Sequence, residues 1–337
     1  MTNRIPQGTR DILPDEMREL RRIETTLRDL FESRGYGEVS TPAIEFDAVL
    51  ARADERISKA AYRFFDPSGE LLALRSDMTV PIARLVADRY ANEEPPFRLH
   101  YIDSAYRAVR PQREQLREFR QAGVELIGAE APAGTAEVIE MLVAALDAVG
   151  LDRAVVGLGD ADLFRQMLSG FGVDGAARDR ILDRLAAHDL VAIEAEAGEM
   201  AGLADEQRHL IVELSSLRGG AEVLDRAREI GGQAVTLAAA RLTETYEAVA
   251  ALGVADRIQL DFGLLRDLGY YTGAILEVYD PAVGHIIGGG GRYDGLMGRF
   301  GRPLSAAGFA LYLERVHIAQ AAEERLGEGA PPAEGSS

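Results

Sequence analysis

The chain of 337 residues contains no cysteine, which excludes disulfides and thiolate metal sites and agrees with a cytoplasmic location. It has no apolar run of the roughly 18 residues that a membrane span requires, and residues 1–20 lack the apolar core of a signal peptide. Basic residues are short as well: 37 Lys and Arg stand against 55 Asp and Glu, a net charge of −18. A field of that sign repels polyanions such as tRNA or DNA, and no basic run lies along the chain; an acidic balance by itself marks only solubility. The five histidines, at 100, 188, 209, 285 and 317, form no HExxH or comparable metal pattern. The GGGG run at 288–291 lacks the Lys-Ser/Thr of a P-loop and reads as close packing near a ligand.

What is present is the composition of a globular protein, long enough for two domains and a real core. Met17, Leu20, Ile23, Leu27, Leu30 and Phe31 recur on one face of a helix predicted from about Asp15 to Ser33, which Gly35 can close. Residues 36–46 read as an extended segment interrupted at Pro42. The runs 62–65 and 71–74 flank Asp66-Pro67-Ser68-Gly69, a hairpin turn by composition. In LRSDMTVPIARLVADRY, Thr79 is predicted to cap a helix, with Asp77 in the loop before its positive end.

Two strand-like runs, 97–107 and 119–127, bracket a polar loop rich in arginine and glutamine. Gln121, Gly123 and Glu125 recur with period two and share one face, either an exposed sheet face or a wall able to receive an ammonium group and an imidazole. An amphipathic helix is predicted over 135–150. Residues 160–253 are alanine-rich and largely helical by pattern, punctuated by Gly170, Gly172, Gly219-Gly220 and Gly231-Gly232, and carry no chemical motif.

The stretch 260–315 is the most informative. It reads LDFGLLRDLGYYTGAILEVYD, then HIIGGGGRYDGLMGRFG, then AAGFALYLERV. Residues 274–279 alternate as a strand does, glycines 288–291 permit a turn or a close backbone approach, and a strand-to-helix passage follows around Phe309 to Val316. Charged groups, tyrosines and small residues crowd there as a small zwitterionic ligand would need, with Arg266 the candidate for a ligand carboxylate. The same spacing also suits ordinary turns of an antiparallel sheet.

GTRDILP, LRSDMT, YRAVRPQ with FRQAGVE, LLRDLGYYTG, GGGGRYDGL and GFALYLER stand in order along the chain. In order and approximate spacing they resemble the catalytic core of histidyl-tRNA synthetase, a class II synthetase, over about residues 5–320. The resemblance implies an α+β fold: a mainly antiparallel sheet flanked by helices, with dimerisation through the first motif. Residues 1–155 and 254–326 would form the synthetase-like core, 156–253 a mostly helical insertion and 327–337 a disordered tail. By the same resemblance Asp77, Thr79 and Gln121 match positions that hold the α-amino group of histidine. Glu125 and Tyr271 match those that recognise imidazole, Arg266 the arginine near carboxylate and phosphate, and Tyr270 lies in the same signature.

The departures fall mainly on the nucleotide half. Arg107 and Arg315 agree with arginines of the second and third class II motifs, but Val109 stands where the family has the glutamate that meets adenine. Tyr312 stands where the third motif has glycine, and Gln115 replaces a loop arginine. Asp267 adds a negative charge beside Arg266, and Asp77 is one methylene shorter than the family glutamate. Adenylation depends on stabilising charge on phosphate, so these changes predict poor or absent adenylate formation. After Arg315 the chain runs to GEGAPPAEGSS, which by composition reads as disordered, so the anticodon-binding domain of the synthetases is not expected.

A synthetase-like chain with an intact amino-acid half and a lost ATP pocket looks like the family of regulatory subunits of ATP phosphoribosyltransferase. That resemblance implies a non-catalytic homodimer needing no cofactor. It would assemble with a short catalytic subunit in the first step of histidine biosynthesis, bind L-histidine as feedback inhibitor, and engage neither tRNA nor membrane. The alternatives are a truncated histidyl-tRNA synthetase-like enzyme that adenylates histidine, and a purely structural dimer.

Overall fold

The computed structural model describes residues 5–108, 116–200, 202–266 and 269–327. The strands are β1 (Gly37–Glu38), β2 (Ile44–Phe46), β3 (Arg63–Phe65), β4 (Leu71–Leu74), β5 (Phe97–Tyr106), β6 (Glu118–Ile127), β7 (Val155–Asp160), β8 (Arg218–Gly219), β9 (Ile258–Asp261), β10 (Ala274–Tyr279), β11 (Ile286–Arg292) and β12 (Ala306–Tyr312). The helices are α1 (Pro14–Ser33), α2 (Asp47–Ala53), α3 (Glu55–Lys59), α4 (Thr79–Arg89), α5 (Ala133–Ala148), α6 (Leu163–Gly170), α7 (Gly175–Ala186), α8 (Leu190–Glu199), α9 (Asp205–Ser216), α10 (Glu222–Ile230), α11 (Gln233–Ala251), α12 (Asp294–Arg299) and α13 (Leu313–Gly327).

Nine strands form one sheet in the order β1-β5-β6-β12-β11-β10-β7-β9-β8. The six from β5 to β7 pair antiparallel throughout, while β1 joins β5, and β9 joins β7, in parallel. This is the expected α+β class II architecture. β2, β4 and β3 make a separate small sheet. Helices α6 to α11 leave the large sheet from β7 and return to it at β9, two neighbouring strands at one end.

The apolar faces explain the layers. α1 starts with Pro14 at a position whose N–H needs no partner, buries Leu20, Ile23, Leu27 and Phe31, and stops at Gly35, which takes φ +81°. Each such side chain taken from water contributes about 1.5–3 kcal/mol. With α5, α13 and the helices after β7 it covers one face of the sheet. A second cluster, built from α2, α3, α4, α12 and Tyr101, Tyr270, Tyr271 and Tyr293, lies on the other.

Two sequence expectations are revised by the structure. Thr79 is not the cap of α4. The Val80 N–H donates to Asp77 Oδ1 at 2.9 Å, so Asp77 caps the helix, and the Thr79 hydroxyl turns instead to Glu125. The glycines at 288–291 make no turn; they lie within β11, which leaves close backbone approach as their role. The stretch from 160, expected to be largely helical, carries α6 to α11 and the two-residue strand β8. Val109, Gln115 and Asp267, and the tail beyond 327, lie outside the described residues. Among the described residues no helix is long and apolar enough to cross a membrane.

Candidate functional site

The register of the large sheet assembles one wall. Gln121, Gly123 and Glu125 of β6 pair with Tyr312, Ala310 and Gly308 of β12, and Gly123 faces Tyr101 of β5. Gly289 of β11 pairs with Ala310 on one side and Glu277 of β10 on the other. Residues directly opposite across a ladder share a face, so these side chains all project to the same side. The segment from Arg266 to Tyr271 and the start of α4 close over that face. Together they line a cleft with about 420 Å³ of empty space counted out to its mouth.

Two glycines make the wall possible. A Cβ at Gly289 would stand 2.0 Å from Nη1 of Arg266, and one at Gly308 would stand 2.0 Å from Oε2 of Glu125. Both positions must therefore stay bare for the arginine and the glutamate to lie flat on the sheet. The glycine run in the sequence pointed to a close approach; its partner was not readable.

Glu125 is buried, at 1% exposure, and accepts from the Thr79 hydroxyl at 2.8 Å and from the Tyr293 hydroxyl. Burial nevertheless pushes its pKa up to about 8, and the nearby Asp77 acts in the same direction against the two hydrogen bonds. Burial likewise raises the Asp77 carboxyl. Burial thus destabilises both acids as anions.

The unsatisfied atoms are the most informative. Asp77 Oδ2, Gln121 Oε1 and Arg266 Nε are buried and have no hydrogen-bond partner among the described residues. The first two are acceptors and the third a donor, and all three side chains line the same cleft. Leaving such atoms unpaired costs about 1–3 kcal/mol each. Arg266 is otherwise held by the Leu276 carbonyl at 3.3 Å and by Glu277 at 3.4 Å, with its guanidinium 6.0 Å from the centre of the Tyr271 ring. Tyr270 packs between Tyr271 and Tyr293, at 4.9 and 6.0 Å between ring centres.

At the other end of the cleft Tyr312 stands among arginines. The guanidinium of Arg315 lies 4.8 Å from its ring centre, and Arg107 bonds its hydroxyl while covering Phe119 at 5.0 Å. Burial alone would raise the phenol pKa, but Arg107, Arg266 and Arg315 outweigh it and hold the value below the ordinary tyrosine range. The phenol occupies the centre of a cationic cluster and supplies it with partial negative charge.

The structure therefore brings Asp77, Thr79, Gln121, Arg266, Tyr270 and Tyr271 into the lining of one cleft together with Arg107 and Tyr312; Glu125 is not in that lining but is bonded to two of its residues, Thr79 and Tyr293, and Arg315 stacks on Tyr312. Sequence reasoning missed Tyr101 and Tyr293 as lining residues, and missed Glu277. Glu277 accepts from the Tyr279 hydroxyl and meets Nε2 of His188 at 3.0 Å, so the carboxylate that holds Arg266 also holds the turn between α7 and α8. Tyr293 sits in GGGGRYDGL, five residues after the first glycine, and was the one of these that the motif itself displayed.

Comparison with known proteins gives the family and the fold. A family described as histidyl-tRNA synthetase matches residues 8–316. The chain is 41% identical to the ATP phosphoribosyltransferase regulatory subunit of Moorella thermoacetica over 97% of its own length and 83% of that protein. It is 42% identical to the one of Symbiobacterium thermophilum over 94% and 79%. Among solved structures, an ATP phosphoribosyltransferase regulatory subunit/histidyl-tRNA synthetase from Bacillus halodurans superposes with a TM-score of 0.86 at 30% identity, covering 95% of this chain and 84% of that one. A histidine–tRNA ligase subunit from Alicyclobacillus acidocaldarius gives 0.82 at 29%, covering 96% and 98%. By sequence and by fold, the chain belongs to the family of ATP phosphoribosyltransferase regulatory subunits, which is built on the histidyl-tRNA synthetase core.

Proposed function

We propose that this chain is a non-catalytic regulatory subunit that binds L-histidine in the tyrosine-lined cleft and reports its occupancy to a short catalytic ATP phosphoribosyltransferase subunit. The observation that carries the reading is the set of three orphaned buried atoms. Asp77 Oδ2 and Gln121 Oε1 suit an ammonium group, and Arg266 Nε suits a carboxylate. Glu125, poised with a pKa of about 8, suits an imidazole N–H, which would favour its ionised form.

Tyr312 supports the absence of adenylation. Its phenol already meets the arginines that a triphosphate would need, so a nucleotide would have to displace a buried ring before it gained a contact. No cofactor and no tRNA enter this reading. The ligand carboxylate would compete with Glu277 for Arg266, and Glu277 in turn holds His188 outside the cleft. That chain of contacts offers a route by which occupancy changes the relation of the α7–α8 turn to the sheet. Such coupling is worth about 1–3 kcal/mol in typical systems, or roughly 5- to 150-fold in affinity.

The test is calorimetry of the purified chain with L-histidine, paired with assays of a short catalytic phosphoribosyltransferase with and without this subunit. Saturable histidine binding, lost in Glu125→Ala and Arg266→Ala together with feedback inhibition, is the expected outcome; retained assembly in both variants separates binding from folding. Histidine-driven ATP–pyrophosphate exchange at a robust rate would favour the adenylating enzyme instead.

A further inference from the structure

A second cleft, larger than the first with about 920 Å³ of empty space, lies on the far side of Arg266. Its walls come from widely separated parts of the chain: Arg56 of α3, Arg165 of α6, Arg178 of α7, and Leu265 with Arg266. Among the described residues, Asp179 and Asp183 are its acidic lining residues. In a chain of net charge −18, four guanidinium groups facing one cavity are a local reversal of sign.

The pairing inside this cleft is incomplete. Arg56 is joined to Asp54 at 3.2 Å, and Arg178 makes only long ion pairs, at 3.4 Å to Asp179 and 3.8 Å to Asp174. Arg178 Nε is buried without a hydrogen-bond partner among the described residues. Arg165 has no carboxylate within ion-pair distance among the described residues and donates only to the Ala161 carbonyl at 3.2 Å. Burial holds its pKa below the ordinary arginine value, with repulsion from Arg56 and Arg178 acting the same way against attraction from Asp162 and Asp54. Like charges held this close in a partly enclosed space cost free energy that an anion would recover.

We propose that this cleft is a binding site for a small phosphate-bearing metabolite, with Arg165 and Arg178 as its principal ligands and Arg56 and Arg266 completing the cationic wall. Guanidinium forks match the oxygens of phosphate in pairs, and two or more phosphoryl oxygens are needed to reach arginines on separate helices. The concave, confined shape and the acidic remainder of the molecule favour a metabolite over an extended polyanion. Because residues of α6 and α7 line the cleft together with Arg266, an occupant would tie the helical segment to the residue that also lines the tyrosine-lined cleft.

Inorganic pyrophosphate titrated into the full chain by calorimetry at low salt is the test, with orthophosphate as the comparison. Saturable binding, tighter for pyrophosphate and weakened roughly tenfold or more in Arg165→Ala and again in Arg178→Ala, is expected. Arg165→Gln, whose amide can keep the bond to Ala161, serves if the alanine variant loses its cooperative melt. Absence of saturable heat with pyrophosphate, or equal affinity in the arginine variants, would overturn the proposal. Pyrophosphate is titrated without histidine, so the result stands whether or not the tyrosine-lined cleft takes the amino acid.

Discussion

At the scale of single residues the cleft is a set of conflicts left for a ligand to resolve. Glu125 has a folded-state pKa of about 8, raised by burial above its unfolded value. It therefore contributes stability below about pH 4.5, the ordinary value for Glu, and that contribution is lost as pH rises through 8. Glu125→Gln removes the titration. The variant should melt on the order of a few degrees above the parent at pH 8 and draw level with it near pH 4, while losing histidine binding. A melting difference independent of pH would contradict the buried-acid account. Tyr312→Phe keeps the ring and deletes the phenol oxygen that Arg107 and its neighbours share. It should cost about 1–3 kcal/mol in chemical denaturation, the penalty of leaving a buried charged donor unpaired.

At the scale of elements, the sheet works because two of its strands surrender their side chains. Gly308→Ala would push a Cβ to 2.0 Å from Glu125 Oε2 and 2.5 Å from the Val124 carbonyl, and the second of these is backbone that cannot swing aside. The expected result is a destabilisation of about 1–3 kcal/mol with histidine binding lost, read by denaturation and calorimetry on the same sample. The link from sheet to helices runs through His188, whose pKa is raised first by its hydrogen bond to Glu277 and held against burial by the same charge. That stabilisation is present below about pH 6.5 and fades as pH rises through the raised value. His188→Gln should thus lower the melting temperature more at pH 6 than at pH 9; an equal loss at both would leave the ion pair without a role.

At the scale of the whole molecule, assembly is the open quantity. On the small sheet Phe46 and Phe64 both pair with Leu72 of β4, and Ile44 with Leu74, so an apolar row runs across one face. Ile44, Phe46 and Phe64 are 49%, 51% and 37% exposed. Contiguous apolar surface of this kind marks an interface more often than a solvated face. The homodimer expected from the first motif is consistent with it. Phe46→Asp should shift the chain towards monomer in sedimentation analysis, with its circular dichroism unchanged; an unaltered molar mass would move the interface elsewhere.

Much of this was legible along the chain. The strand periods at 97–107, 119–127 and 274–279, the helix ending at Gly35 and the hairpin at 66–69 are local signals, set by backbone geometry and by which side chains must leave water. The motif order carried the family, and it named six residues that the structure sets in the lining of one cleft, with Glu125 bonded to that lining. The sequence placed Thr79 as a helix cap because threonine is a good cap in isolation; Asp77, two residues earlier, takes the backbone N–H and frees the hydroxyl for Glu125, 46 residues away. Such competition between partners depends on what the sheet brings near. The same holds for charge. Along the chain the arginines are scattered and the balance is acidic, so no basic patch could be read. Only the return of α6 and α7 onto the Leu265–Arg266 segment sets Arg56, Arg165, Arg178 and Arg266 around one cavity. The sequence by itself determined the fold and the residue types of the site, because periodicity and motif order are local. The tertiary structure alone decided which acids lose their water, which donors stay unpaired and where four positive charges meet, because those follow from distances in space.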